Sequence, residues 1–161
     1  MYSEVSRGTT FKLYFPPHHG MAEAPIPERT TLPALGSGAT ILLVEDERPV
    51  RSTLRRLLER HGYNVLEAAN GQDALHLVTS RAAEIDLVLS DMVMPGMGGT
   101  ELAGRVRALS PTIPVLLMTG YTEEAITRTG YRPLDEQIIE KPFTLHTMLE
   151  KVSLALATKA C

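Results

Sequence analysis

From Thr40 onward, short aliphatic runs alternate with stretches whose apolar positions recur at helical spacing. Ile41-Leu42-Leu43-Val44 is continuous and aliphatic, as expected of a strand covered on both faces. Val50, Leu54, Leu57 and Leu58 follow at i, i+4, i+7 and i+8, which predicts a helix that Gly62 stops. Val65-Leu66 reads as a second strand, and Asn70 as the cap of a second helix carrying Ala74, Leu77 and Val78, with Asp73 in its first turn. Residues 85–89 give a third strand. Leu102, Val106 and Leu109 define a third helix ending before Ser110-Pro111, and residues 115–118 a fourth strand. A short helix over about 122–128 is expected next, then a fifth strand at Ile138-Ile139. Leu145, Leu149, Val152 and Leu156 stripe the last helix, with Thr144 as its cap. The pattern is (βα)5, an α/β fold. Such alternation implies a doubly wound, mainly parallel sheet, because parallel neighbours need right-handed crossovers.

Ahead of this rhythm the pattern breaks. Five of the eleven prolines, Pro16, Pro17, Pro25, Pro27 and Pro33, fall in the first 38 residues, which marks a linker over 17–38 and places the folded domain at 39–158 with a tail of 159–161. Within residues 1–16, Thr10-Phe11-Lys12-Leu13-Tyr14-Phe15 alternates as a strand would, with Phe11, Leu13 and Phe15 on one face. A strand without a partner cannot bury that face, so this arm is expected to have no contact network of its own within the folded domain.

Composition narrows the class. A chain of 161 residues with 43% hydrophobic and 22% charged positions fits one globular domain. A net charge of −3 argues against a nucleic-acid binder, which needs a clustered excess of Lys and Arg. Cys161 is the lone cysteine, so neither an internal disulfide nor a cysteine zinc site of the usual spacing is available, and a reducing cytoplasm is the expected compartment. No apolar run approaches bilayer length, so no membrane contact by this segment is expected.

In open parallel sheets the ligand site lies beyond the carboxyl ends of the strands. Those ends carry Glu45-Asp46-Glu47, Asp91, Thr119 and Lys141. Converging carboxylates repel one another unless a hard divalent cation neutralises them, and Mg²⁺ takes a few carboxylates while keeping waters for a phosphoryl group. Thr119 can donate a hydrogen bond to a phosphoryl oxygen and Lys141 can supply a point charge, so a carboxylate among them could act as a nucleophile. Singly, each residue also reads as a turn, a cap or a solvated charge. Their co-occurrence at the ends of separate strands of one sheet is what favours the chemical reading.

The same residues carry a family resemblance. Val44-Glu45-Asp46-Glu47, the run from Leu89 to Gly99 (LSDMVMPGMGG), Met118-Thr119-Gly120-Tyr121 and Lys141-Pro142-Phe143 resemble the signature blocks of bacterial response-regulator receiver domains. The resemblance covers about 39–158 and implies a flavodoxin-like sheet in the order 2-1-3-4-5. It implies Asp91 as phosphoacceptor, Asp46 and Asp91 as direct Mg²⁺ ligands with the Val93 backbone carbonyl, and Glu45 acting through water. It further implies phosphoryl transfer from a histidine kinase, followed by rearrangement around Thr119 and the fourth and fifth strands. A cis Lys141-Pro142 bond is expected as well.

Two departures stand out. Family members often carry an aromatic residue three positions before the lysine, where this chain has the aliphatic Ile138 in place of the aromatic gate. Where the family tunes dephosphorylation, this chain has Val93 and Tyr121, neither of which readily directs an attacking water. The segment Gly8 to Pro16 (GTTFKLYFP) is similar to the last strand of the ATP-binding domain of sensor histidine kinases, which would make the chain the receiver end of a hybrid kinase; the lesser alternative is a natural leader. Expected partners are a histidine kinase or the chain's own kinase core and a histidine phosphotransfer protein, with a homodimer left open. One rival is a phosphoaspartate-type phosphatase, which would want an acid where Val93 stands. The other is an inert pseudo-receiver for docking, whose acidic cluster would normally be broken. The five histidines lack metal spacing, and the methionines read as packing.

Overall fold

The computed structural model describes residues 2–4, 8–10, 38–120 and 138–159. The chain divides into two units, Met1–Thr31 and Leu32–Cys161. In the first, β1 (Tyr2–Glu4) pairs antiparallel with β2 (Gly8–Thr10), Tyr2 opposite Thr10 and Glu4 opposite Gly8. This pairing is internal to the arm and includes only Thr10 of the strand expected over 10–15. Backbone pairing requires no apolar alternation, so a short polar pairing of this kind leaves little trace in the sequence. Phe11, Leu13 and Phe15 lie outside the described residues.

In the second unit, five parallel strands form one sheet: β3 (Thr40–Val44), β4 (Asn64–Ala68), β5 (Leu87–Asp91), β6 (Val115–Thr119) and β7 (Ile138–Glu140). Their spatial order is β4-β3-β5-β6-β7, the expected 2-1-3-4-5 of a flavodoxin-like fold. Between them run α1 (Arg48–Arg60), α2 (Gly71–Arg81) and α3 (Gly99–Leu109), and α4 (Leu145–Lys159) follows β7. The short helix expected over 122–128 lies outside the described residues.

Alternation along the strands explains the layers. Ile41, Leu43, Leu87, Leu89, Leu116 and Met118 face one side, against Leu54 and Leu58 of α1 and Met148, Leu149 and Val152 of α4. Leu42, Val44, Val88, Val115 and Leu117 face the other, against Ala74 and Val78 of α2 and Leu102 and Val106 of α3. Strand residues are thus buried in both directions, and each buried Leu or Val contributes about 1.5–3 kcal/mol.

Local signals behave as their chemistry demands. The side chain of Asn70 accepts the Asp73 amide at 2.8 Å, and that of Thr144 accepts the Thr147 amide at 3.1 Å, so both caps form. Gly62, at φ +84°, closes α1 in the left-handed conformation that glycine tolerates best. Leu109 departs from expectation: it is 56% exposed at the end of α3 rather than part of the buried stripe. The third strand starts at Leu87, two residues later than expected, because Asp86 serves as an entry clamp. Its amide donates to the Thr40 carbonyl at 2.8 Å and its carboxylate accepts the Thr40 amide at 2.9 Å.

Candidate functional site: an acidic cluster at the strand ends

Parallel strands bring their carboxyl ends to one edge, and that edge collects the predicted residues. Glu45 and Asp46 follow β3, Asp91 ends β5, Thr119 ends β6, and Lys141 follows β7. Carboxylate oxygens of Glu45, Asp46 and Asp91 lie within 4.8 Å of one another. Lys141 Nζ stands 3.1 Å from Asp91 Oδ1 and 3.5 Å from Glu45 Oε2. The Met92 amide donates to Asp91 Oδ1 at 2.8 Å, so two donors orient the same oxygen. Thr119 is fully buried, and its carbonyl accepts the Lys141 amide at 2.6 Å, which fixes where the lysine leaves the sheet. The Lys141–Pro142 bond is cis. Val93 is 55% exposed in the loop after Asp91, while Tyr121 lies outside the described residues. Ile138 is buried in β7.

The electrostatics are those of a site short of positive charge. Burial pushes the Glu45 carboxyl above its ordinary value, Lys141 pulls it back, and the negative charges of Asp91 and Asp46 push it further up. Glu45 Oε2 is buried and accepts no hydrogen bond from the described residues, with Lys141 as its ion-pair partner. A buried carboxylate oxygen lacking a donor is costly, and a cation held by this all-oxygen set would satisfy it. The donor set therefore fits Mg²⁺.

Two features of the surroundings escaped the sequence reading. Gly99, the first residue of α3, lies so close to the end of β5 that a Cβ there would overlap the Asp91 carbonyl oxygen and approach the Met92 Cα to 2.9 Å. Its own amide donates to the Met92 carbonyl at 2.9 Å, folding residues 92–99 back onto Asp91. The Gly98-Gly99 pair before a helix was the available signal. Arg51, in the first turn of α1, donates from Nη1 to the Glu45 carbonyl at 2.6 Å and to the Asp46 carbonyl at 3.3 Å. One arginine among the several on α1 carries no mark in the sequence.

Comparison with known proteins agrees with this geometry. The response regulator receiver domain family matches residues 41–153. The chain is 38% identical to the sensor kinase CckA of Brucella abortus over 93% of its own length, but spans only 17% of that kinase. It is 33% identical to the response regulator receiver protein CpdR of the same organism, over 72% of this chain and 95% of that one. The crystal structure of the receiver domain from the hybrid histidine kinase CckA superposes with a TM-score of 0.60 at 38% identity, covering 73% of this chain and 99% of that domain. The chain belongs to the response regulator receiver domain family of two-component signalling.

Proposed function

We propose that Asp91 accepts a phosphoryl group from a phosphohistidine and that the domain works as a switch in a phosphorelay. The observation carrying this reading is the convergence of three carboxylates within 4.8 Å beside Lys141, whose Nζ is 3.1 Å from Asp91 Oδ1. Asp91 supplies the attacking oxygen: a P–O bond forms to its carboxylate as the P–N bond to the donor imidazole breaks, and the imidazole leaves with a proton. Lys141 and Thr119 take the phosphoryl oxygens, the first as a point charge and the second as a hydroxyl donor. Asp46, Asp91 and the Val93 carbonyl would hold Mg²⁺ directly and Glu45 through water. Bound there, the ion neutralises the acids and the incoming phosphate. Phosphorylation then rearranges the surface around β6 and β7.

Residues 39–158 form the receiver in this reading, 17–38 a linker and 1–16 the end of a kinase ATP-binding domain. Support comes from the similarity to the Brucella sensor kinase, which covers 93% of the chain and so reaches beyond the receiver match at 41–153. The partners would be a histidine kinase, or the kinase core of a longer hybrid protein, and a histidine phosphotransfer protein.

Incubation with acetyl phosphate and Mg²⁺, followed by intact mass measurement, tests the assignment. Wild type should gain one phosphoryl group that EDTA prevents, and Asp91→Asn should gain none. A phosphorylated Asp91→Asn at the wild-type rate would refute it. Asp46→Ala should abolish the response to Mg²⁺ more completely than Glu45→Ala does; equal metal affinity in wild type and Asp46→Ala would refute that order.

A further inference from the structure

We propose that Arg51 is a positioning residue for the metal-binding loop: it sets the backbone from which Glu45 and Asp46 present their carboxylates, without touching the ion. The inference rests on the Mg²⁺ site proposed above. Arg51 meets three successive carbonyls of that loop. Its Nη1 donates to those of Glu45 at 2.6 Å and Asp46 at 3.3 Å, and its backbone amide donates to that of Glu47 at 2.9 Å. The opposite end of the guanidinium is braced, with Nε 3.5 Å from Glu67 Oε1 on β4, and the side chain is only 16% exposed. Glu67 is held in turn by Arg55 Nη1 at 2.8 Å, and Arg55 Nε by Glu59 at 2.9 Å. A line of alternating charges therefore ties the loop to the edge strand and to the second turn of α1.

The loop needs such a restraint. Its side chains, with that of Asp91, converge within 4.8 Å as like charges, and their repulsion favours any backbone movement that spreads them. Hydrogen bonds from a planar, fixed donor array resist that movement, which a flexible ammonium on a shorter reach would do less well. Partners that orient metal ligands typically matter by about 10–100-fold in metal affinity.

Charge and positioning predict opposite signs, which makes the inference decidable. A cation beside the site disfavours Mg²⁺ by Coulomb repulsion, so if Arg51 acted through its charge alone, its removal would tighten binding. If it acts by positioning, removal weakens binding although a repulsive charge has gone. The experiment is calorimetric titration of Mg²⁺ into wild type, Arg51→Ala, Arg51→Lys, Glu67→Gln and Asp46→Ala, with urea unfolding in EDTA as the check on folding. We expect Arg51→Ala to weaken Mg²⁺ binding about tenfold or more. Arg51→Lys, which keeps the charge, should restore only part of the affinity, and Glu67→Gln should weaken binding by a smaller factor. Unchanged or tighter binding in Arg51→Ala, with Asp46→Ala still deficient, overturns the positioning role and leaves the metal site standing. Wild type without Mg²⁺ binding, or Asp46→Ala binding as wild type does, overturns the site reading and the inference with it. Should Arg51→Ala lack a urea transition, Arg51→Lys and Glu67→Gln decide: wild-type affinity in both refutes the role.

Discussion

At the scale of single residues, the side chains that converge in the candidate site were legible and the contacts that hold their backbone were not. Glu45, Asp46, Asp91, Thr119 and Lys141 are of types whose functional groups matter wherever they stand, so their positions at strand ends drew attention. Arg51 and Gly99 act through backbone carbonyls and through empty space, which residue type alone does not announce. Tyr63 is a different departure from ideal design. It is 3% exposed, and its hydroxyl is buried without a hydrogen-bond partner among the described residues. Tyr63→Phe removes the unsatisfied group and keeps the ring, so it should stabilise the domain by on the order of 1 kcal/mol in urea unfolding. Burial also raises the Tyr63 pKa above its ordinary value of 10.0. The folded state then keeps its proton when the unfolded chain has begun to lose it. Stability is therefore full below the unfolded pKa of 10.0 and falls as pH rises from there toward the folded value. In Tyr63→Phe that part of the alkaline decline should vanish; an identical alkaline slope in the two proteins would show that Tyr63 does not contribute to it.

At the scale of elements, the apolar period identified each described strand and helix of the receiver, and departures sat at element ends. Ile85 and Asp86 read as strand because they continue an aliphatic run, yet the Asp86 clamp on Thr40 delays the ladder to Leu87. Leu109 fitted the helical stripe, but it falls in the last turn of α3, where it stays 56% exposed. The same helix offers a matched pair of substitutions. At Gly99 a methyl group would strike the backbone of Asp91, which cannot yield as a flexible side chain could, whereas at Gly104 a Cβ meets none of the described residues within 4 Å. Gly104→Ala should stabilise by about 0.5–1 kcal/mol, through helix propensity. Gly99→Ala should destabilise by roughly 1–3 kcal/mol, as overpacking does, and should also impair phosphorylation by displacing Asp91. Equal stability of the two variants in denaturant titration would show that the backbone at Gly99 relaxes freely.

At the scale of the whole molecule, the sheet order places the first strand of the receiver in the middle, paired with β4 on one side and with β5 on the other. Residues 38–91 can therefore complete a three-stranded unit carrying Glu45, Asp46 and Asp91 before β6 and β7 have joined. Lys141, the ammonium that compensates those acids, enters only after the last strand. Folding kinetics should feel that sequence of events. In a transition state built on β4-β3-β5, the three carboxylates already converge while their lysine is still absent, and repulsion raises the barrier. Mg²⁺ should then speed refolding from urea, rather than only slow unfolding, and Asp46→Ala should lose the acceleration. Stopped-flow refolding in Mg²⁺ and in EDTA separates the cases: a Mg²⁺ effect confined to the unfolding limb would mean that the acids come together only after the barrier has been crossed.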